Sequence, residues 1–320
     1  MKLPIRRPAI VLAATMATLA AALPSAALAH QHSKEFPLAE FAGPNDITTG
    51  PDGALWASDG SLNRLWRVTT KGKVSSIELE GGAVGVATGR DGALWVTDRD
   101  NSRIQRVTTG GQITSYPLPT KGAFPADIVA GPDGALWFTE IHGNQIGRIT
   151  TSGDIDEYPI PTPKAFAADI TVGPDGAIWF TESNGNKVGR VTMSGVLTEF
   201  PLETPESRLP GPIVAGRDGA IYFAERNTNV ITRMTTAGKV TRRSPLPVAN
   251  ANPIGLLSTP YGLLISEQAT NTIRPMSLWG WFGHPLRTKS SPEALTRGPD
   301  GGIWYVADSE DSIGRIKSGF

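Results

Sequence analysis

The chain has 320 residues, with 30 Lys and Arg against 30 Asp and Glu and no cysteine. A balanced charge without a basic stripe excludes the electrostatic footprint of nucleic-acid binding. The lack of cysteine excludes disulfides, thiolate metal sites and a lipid-modified cysteine, so stability must come from apolar burial.

The first element is a basic and apolar leader. Lys2, Arg6 and Arg7 precede the apolar run from Ala9 to Leu23, and Ala27-Leu28-Ala29 supplies small residues for cleavage. This pattern predicts a signal peptide over residues 1–29, with the mature domain at 30–320 and no membrane span once the leader is cut. Secretion or a periplasmic location follows as an expectation. Removing three bases and no acid leaves 27 against 30, a net charge of −3. His30 and His32 then lie on the mature tail, two residues of a metal-binding type.

Glu35-Phe36-Pro37-Leu38 comes next and matches Glu199-Phe200-Pro201-Leu202 far downstream. From there to the end of the chain a cassette of about 41 residues recurs, aligned on Trp56, Trp95, Trp137, Trp179, Tyr222, Leu264 and Trp304, with steps of 39, 42, 42, 43, 42 and 40. Short alternating strands at that period predict an all-β, seven-bladed β-propeller. Within a cassette, a P-x-x-[IL] strand such as the one opening at Pro125 ends at a turn such as Gly131-Pro132-Asp133-Gly134. Proline presets φ there and glycine accepts the positive φ of a tight turn. A second strand, Ala135 to Glu140, follows; a third runs from Ile146 to Thr150 and a fourth from Ile155 to Ile160. Asn63, Asn144, Asn186, Asn229 and Asn271 hold one place in the turn between the second and third strands. The seventh cassette stops after Ile313-Gly314-Arg315-Ile316 without a fourth strand. The N-terminal strand is therefore expected to complete the last blade and close the ring.

The strings Gly-Pro-Asp-Gly-Ala-Leu-Trp-Phe-Thr-Glu from Gly131, Asn144-Gln145-Ile146-Gly147-Arg148-Ile149-Thr150-Thr151-Ser152-Gly153 and Glu157-Tyr158-Pro159-Ile160-Pro161-Thr162-Pro163 resemble the virginiamycin B lyase (streptogramin B lyase) family over residues 35–320. The resemblance implies a lyase that opens a cyclic depsipeptide antibiotic by elimination across its ester, assisted by a metal ion, normally magnesium. It also implies histidines in a P-H-x-[IL] element opening blades six and seven, a Glu before the Pro of blade seven, and a Tyr in blade one. Here blade six reads Pro253-Ile254-Gly255-Leu256, blade seven reads Ser291-Pro292-Glu293-Ala294-Leu295, and Asn45 stands at the tyrosine's place. Elimination needs a base, and Ile254 cannot take a proton.

Residues present in nearly every cassette point to what every blade needs; residues that break the repeat point to a site. The repeating acids are Asp59, Asp98, Glu140, Glu182, Glu225 and Glu267, and the repeating arginines are Arg67, Arg106, Arg148, Arg190, Arg233 and Arg315. They are expected to pair with one another, or the acids to accept turn N–H groups. Asp46, Asp127 and Asp169 break the repeat where innermost strands begin, with Gly85, Pro212, Gly255 and Ala294 in the other blades. Two readings stand: an acidic rim holding Mg²⁺ or Ca²⁺, or carboxylates capping nearby backbone N–H groups. Glu293 and His142 are the candidate catalytic residues, and Asn45, Asp46, Asp127, Asp169 and Ile254 the candidate binding residues of the mouth. Blade six carries Trp279-Gly280-Trp281-Phe282, either a docking patch or an outer strand packed on its neighbour. The expected function is a monomeric binding propeller for a small molecule, a peptide or an envelope protein. The alternative is a diverged lyase or a metal-assisted ester or lactone hydrolase.

Overall fold

The structure, a computed structural model, describes residues 33–203, 209–307 and 311–317. Seven four-stranded antiparallel sheets account for the seven cassettes. Blade three is representative, with strands Pro125–Ala130, Leu136–Glu140, Gln145–Ile149 and Ile155–Pro159 paired in that order. Blade seven takes its outermost strand from the other end of the chain: Lys34–Pro37 pairs antiparallel with Ser312–Ile316, Phe36 opposite Ile313. The proposed leader, His30 and His32 lie outside the described residues. No helix among the described residues is long and apolar enough to cross a membrane.

One polar lock recurs at the turn between the first and second strands. In blade one, Asp52 Oδ1 accepts the Trp56 indole N–H at 2.9 Å and Asp52 Oδ2 accepts Arg67 Nε at 2.6 Å. The Arg67 guanidinium lies 5.8 Å from the Trp56 ring centre. The same Asp–aromatic–Arg arrangement repeats at Asp91, Asp133, Asp175, Asp218 and Asp300. The indole also explains the glycine that opens each turn, since a Cβ on Gly50 would stand 2.2 Å from Trp56 Cδ1.

The repeating arginines thus pair with the turn aspartates and not with the repeating acids. Strand register gives the reason. Trp56 faces Arg67 directly across the pair, so both project from one side of the sheet. Asp59 is an odd number of residues further on and projects from the other side. It is buried there and accepts Ser61 N and Leu62 N at 2.9 Å each and Trp66 Nε1 at 2.7 Å.

The core is seven seams between neighbouring blades rather than one central cluster. In blades two, three and four the second-strand aromatic stacks on the outermost-strand aromatic, as in Trp95–Tyr116, Trp137–Tyr158 and Trp179–Phe200, at 5.4–5.6 Å. Phe36 makes the equivalent stack on Trp304 at 5.3 Å. It also packs with Ile47, Leu55 and Val68 of blade one. The closing strand therefore rebuilds an ordinary seam where the ring meets itself.

Candidate functional site

Pairing of Pro44 with Asp59 and Pro125 with Glu140 puts the starts of the innermost strands, the repeating acids and the following turns on one rim of the ring. At its centre lies a cavity of about 420 Å³ lined by Asn45, Asp46, Asp127, Asp169 and Ile254, among others. All five mouth residues expected from the sequence are thus brought together. The two catalytic candidates are not part of that lining. The Glu293 carboxylate accepts Gln268 Nε2 at 2.8 Å. His142 stands exposed on a turn of blade three, its ring stacked on Phe124 at 4.4 Å.

The three mouth aspartates are clips between blades. Asp46 accepts Ile47 N at 2.7 Å and Val86 N of blade two at 2.9 Å. Asp127 accepts Ile128 N at 2.8 Å and Ile170 N of blade four at 3.0 Å. Asp169 accepts Ile170 N at 2.7 Å and Ile213 N of blade five at 2.9 Å. Every one of these oxygens already takes a backbone donor. Burial, then the charge of Asp127, pushes the Asp46 carboxyl up to about 7. Burial, then the charge of Asp169 and a hydrogen bond with it, raises Asp127 well above the usual carboxylate range; burial also raises Asp169. Two carboxyls joined by a hydrogen bond hold a proton between them.

This donor set does not fit a resident Mg²⁺ or Ca²⁺, which wants several anionic oxygens free to converge. Among the described residues no group of three or more His, Asp or Glu is arranged to hold a metal. At the positions where the resemblance implies histidines, Ile254 is apolar and Glu293 is engaged by Gln268.

Three features of the rim escape a reading by repeats alone. Hydroxyls two residues after the aromatic join blades: Thr97 Oγ1 donates to Ala126 O at 2.6 Å and Thr181 Oγ1 to Gly211 O at 2.9 Å. Arg226 adds a cation to the cavity wall. Phe166 and Leu209, exposed and at φ 58° and 71°, immediately precede innermost strands, and Phe41 is 74% exposed at φ 67°. Bulky residues rarely adopt positive φ, and such outliers gather at ligand sites. A signal for the polar rim was present: the residue directly after the repeating acid, which is Arg99, Ile141, Arg226 or Gln268, changes from blade to blade.

Beneath the rim, the repeating acids of blades three and four lack a full set of partners. In blades one, two, five and six the residue seven further on, Trp66, Gln105, Thr232 or Arg274, bonds the acid. Blades three and four have Gly147 and Gly189, and the Phe138 and Phe180 rings fill the space instead. Glu140 Oε1 and both Glu182 oxygens are left without a hydrogen bond. Burial, then the neighbouring Glu157, pushes Glu140 up to about 8. Burial, then Glu199, raises Glu182 to about 7, with Lys187 opposing.

At the foot of blade six, Trp279 and Trp281 are 77% and 78% exposed, while Phe282 packs on the seam between blades five and six. The tryptophans are therefore not an outer strand packed on the next blade.

The virginiamycin B lyase family profile matches residues 25–276. No curated protein sequence matches the chain significantly. Among solved structures, a streptogramin B lyase is 30% identical with a TM-score of 0.83, covering 89% of this chain and 97% of that one. Virginiamycin B lyase from Staphylococcus aureus is 32% identical with a TM-score of 0.83, covering 89% and 99%. A catalytically inactive histidine-to-alanine form of that enzyme with quinupristin gives 32% and 0.82, again covering 89% and 99%. Seven blades closed by the N-terminal strand, the family profile over most of the chain and the agreement with these enzymes along almost their whole length lead to one conclusion: the chain belongs to the virginiamycin B lyase family.

Proposed function

We propose that the protein is an exported binding propeller that holds a small molecule or short peptide over its central mouth and no longer performs the elimination implied by its family. The observation that carries this reading is the mouth itself. A cavity of about 420 Å³ keeps polar groups at Asn45, Asp46 and Arg226 and has Ile254 in its lining, at the position where the family resemblance implies a histidine. Carbon–oxygen elimination requires removal of a proton, and an isoleucine side chain cannot do it. The exposed apolar side chains of Phe41 and Leu209 on the same rim suit a ligand with hydrophobic side chains. The Staphylococcus aureus relative gives further support, because its histidine-to-alanine form is catalytically inactive and is nevertheless seen with quinupristin. Export rests on the leader-like residues 1–29 and favours the periplasm or cell exterior; an envelope protein is a second class of partner.

The test is incubation of the mature chain with a streptogramin B, with and without Mg²⁺, followed by mass. The expected result is an intact ring together with saturable binding. A linear product would return the protein to the lyases and overturn the reading. Glu293, close to the mouth through its neighbours Ala294 and Leu295, favours one other activity, hydrolysis of an ester or lactone. Glu293→Gln is the variant that would abolish such an activity.

A further inference from the structure

A second cleft, of about 380 Å³, opens on the same rim as the mouth and shares no lining residue with it. Its walls are Ile141, His142 and Asn144 from blade three, Lys164 and Phe166 from the loop entering blade four, and Asn184 from the following turn. We propose that this cleft is a binding site for a small aromatic carboxylate.

The argument begins with the loop. Loops entering the blades share a pattern of two left-handed residues around a buried alanine: Gly122-Ala123-Phe124, Lys164-Ala165-Phe166 and Asn250-Ala251-Asn252. The alanine is structural, for Ala165 O accepts Asn184 N and Ala165 N donates to Asn144 Oδ1 at 2.8 Å. Blade six makes the turn with two asparagines, which tolerate positive φ well. Blade four makes the same turn with Lys164 at φ 53° and Phe166 at φ 58°. The turn does not need a long cation or a phenyl ring, and both carry a steric cost there.

What those side chains build is a matched pocket. Phe166 supplies an aromatic face, and His142 supplies another, itself held against Phe124 at 4.4 Å with the Arg99 guanidinium 5.3 Å from the Phe124 ring centre. Asn144 is spent on the loop, donating to Ile160 O and Thr162 O at 2.9 and 3.0 Å, so it acts as wall. Among the described residues, the Lys164 ammonium, the His142 ring and the Asn184 amide have no hydrogen-bond or ion-pair partner. Among the described residues no acid lines the cleft. Uncommitted donors over aromatic walls, with no carboxylate to oppose them, select an anion attached to a flat ring.

Titration of the mature protein with 2-naphthoate, read by calorimetry and by NMR of the His142 ring, tests this. The expected result is one saturable site, with 2-naphthylmethanol and acetate each at least roughly tenfold weaker because each lacks one half of the recognition. Lys164→Gln should weaken naphthoate binding roughly tenfold, in line with one charge-assisted contact. Lys164→Gly should do the same while raising the melting temperature by roughly 1–2 °C, since glycine relieves the positive φ. Ile254→Glu, at the mouth, should leave the affinity within about twofold. Naphthoate binding that is lost with Ile254→Glu and kept with Lys164→Gln would place the probe at the mouth and sink the proposal. Absence of saturable binding would sink it too, whatever the outcome with streptogramins.

Discussion

Phe36→Ala is expected to lower the melting temperature by roughly 5–8 °C, the consequence of truncating a buried aromatic at about 3–5 kcal/mol in a domain of this size. Phe36 is 5% exposed and fills the seam that closes the ring, stacked on Trp304 and packed against Ile47, Leu55 and Val68. Its ring also occupies the space above Gly72, where a Cβ would come within 2.3 Å of it, so the residue on that side has no side chain to fill the hole. Glu35 holds the same strand from the other side, accepting Ser290 N at 3.0 Å and Tyr305 Oη at 3.1 Å. Deleting residues 33–40 removes both anchors and uncovers the edge of Ser312–Ile316. An uncovered edge strand pairs with other chains, so the deletion should melt earlier than Phe36→Ala and elute as soluble aggregates. A deletion variant that stays monomeric and melts within about 2 °C of the parent would show that the strand is ornamental.

The latch was legible because Glu35-Phe36-Pro37-Leu38 copies an outermost strand and the last cassette lacks one. The mouth was legible for a similar reason. Seven equivalent strands must begin at the axis of a propeller, so Asn45, Asp46, Asp127, Asp169 and Ile254 had to converge whatever their side chains do. The partner of each side chain was harder to read. Arg148 lies fifteen residues from Asp133 and eight from Glu140 along the chain, and only the facing of Trp137 and Arg148 across the strands shows that Glu140 is on the wrong side. The cleft of His142, Lys164 and Asn184 was beyond the repeat altogether. It depends on the left-handed backbone at Lys164 and Phe166, and nothing in those residue types announces such a conformation. Glu293 and His142, the two catalytic candidates, belong to different blades and contact different partners.

Stability should be greatest in mild acid and fall as the solution becomes alkaline. Two sets of carboxyls set the sign. Asp52, Asp91, Asp133, Asp175, Asp218 and Asp300 are held below the usual carboxylate range by their indole or phenol and arginine partners, which outweigh burial. Groups lowered on folding stabilise above their unfolded value, near 4, and that contribution is lost as pH falls through the folded value. Asp46, Glu140 and Glu182 are raised to about 7, 8 and 7. Groups raised on folding stabilise fully below their unfolded value and lose that contribution as pH climbs through the folded one. The two sets leave a maximum in mild acid, near pH 5, and a decline that is steepest from about pH 5 to 8, between the unfolded and folded values of the raised groups, and levels off above it. Asp46 stands on the wall of an open cavity, where water offsets part of its loss; Glu140 is wholly buried with one oxygen unpartnered and should dominate. Glu140→Gln keeps the shape of the protonated acid and cannot ionise. It should melt close to the parent at pH 5 and roughly 5 °C above it at pH 9, the equivalent of about 3 kcal/mol. Gln145→Lys should act in the same direction by another route, supplying beside Glu140 and Glu157 the cation that Lys187 supplies to Glu199 at 2.6 Å. A parent whose melting temperature is flat from pH 5 to 9, or a Glu140→Gln variant with the parent's slope, would mean that Glu140 is ionised in the folded ring.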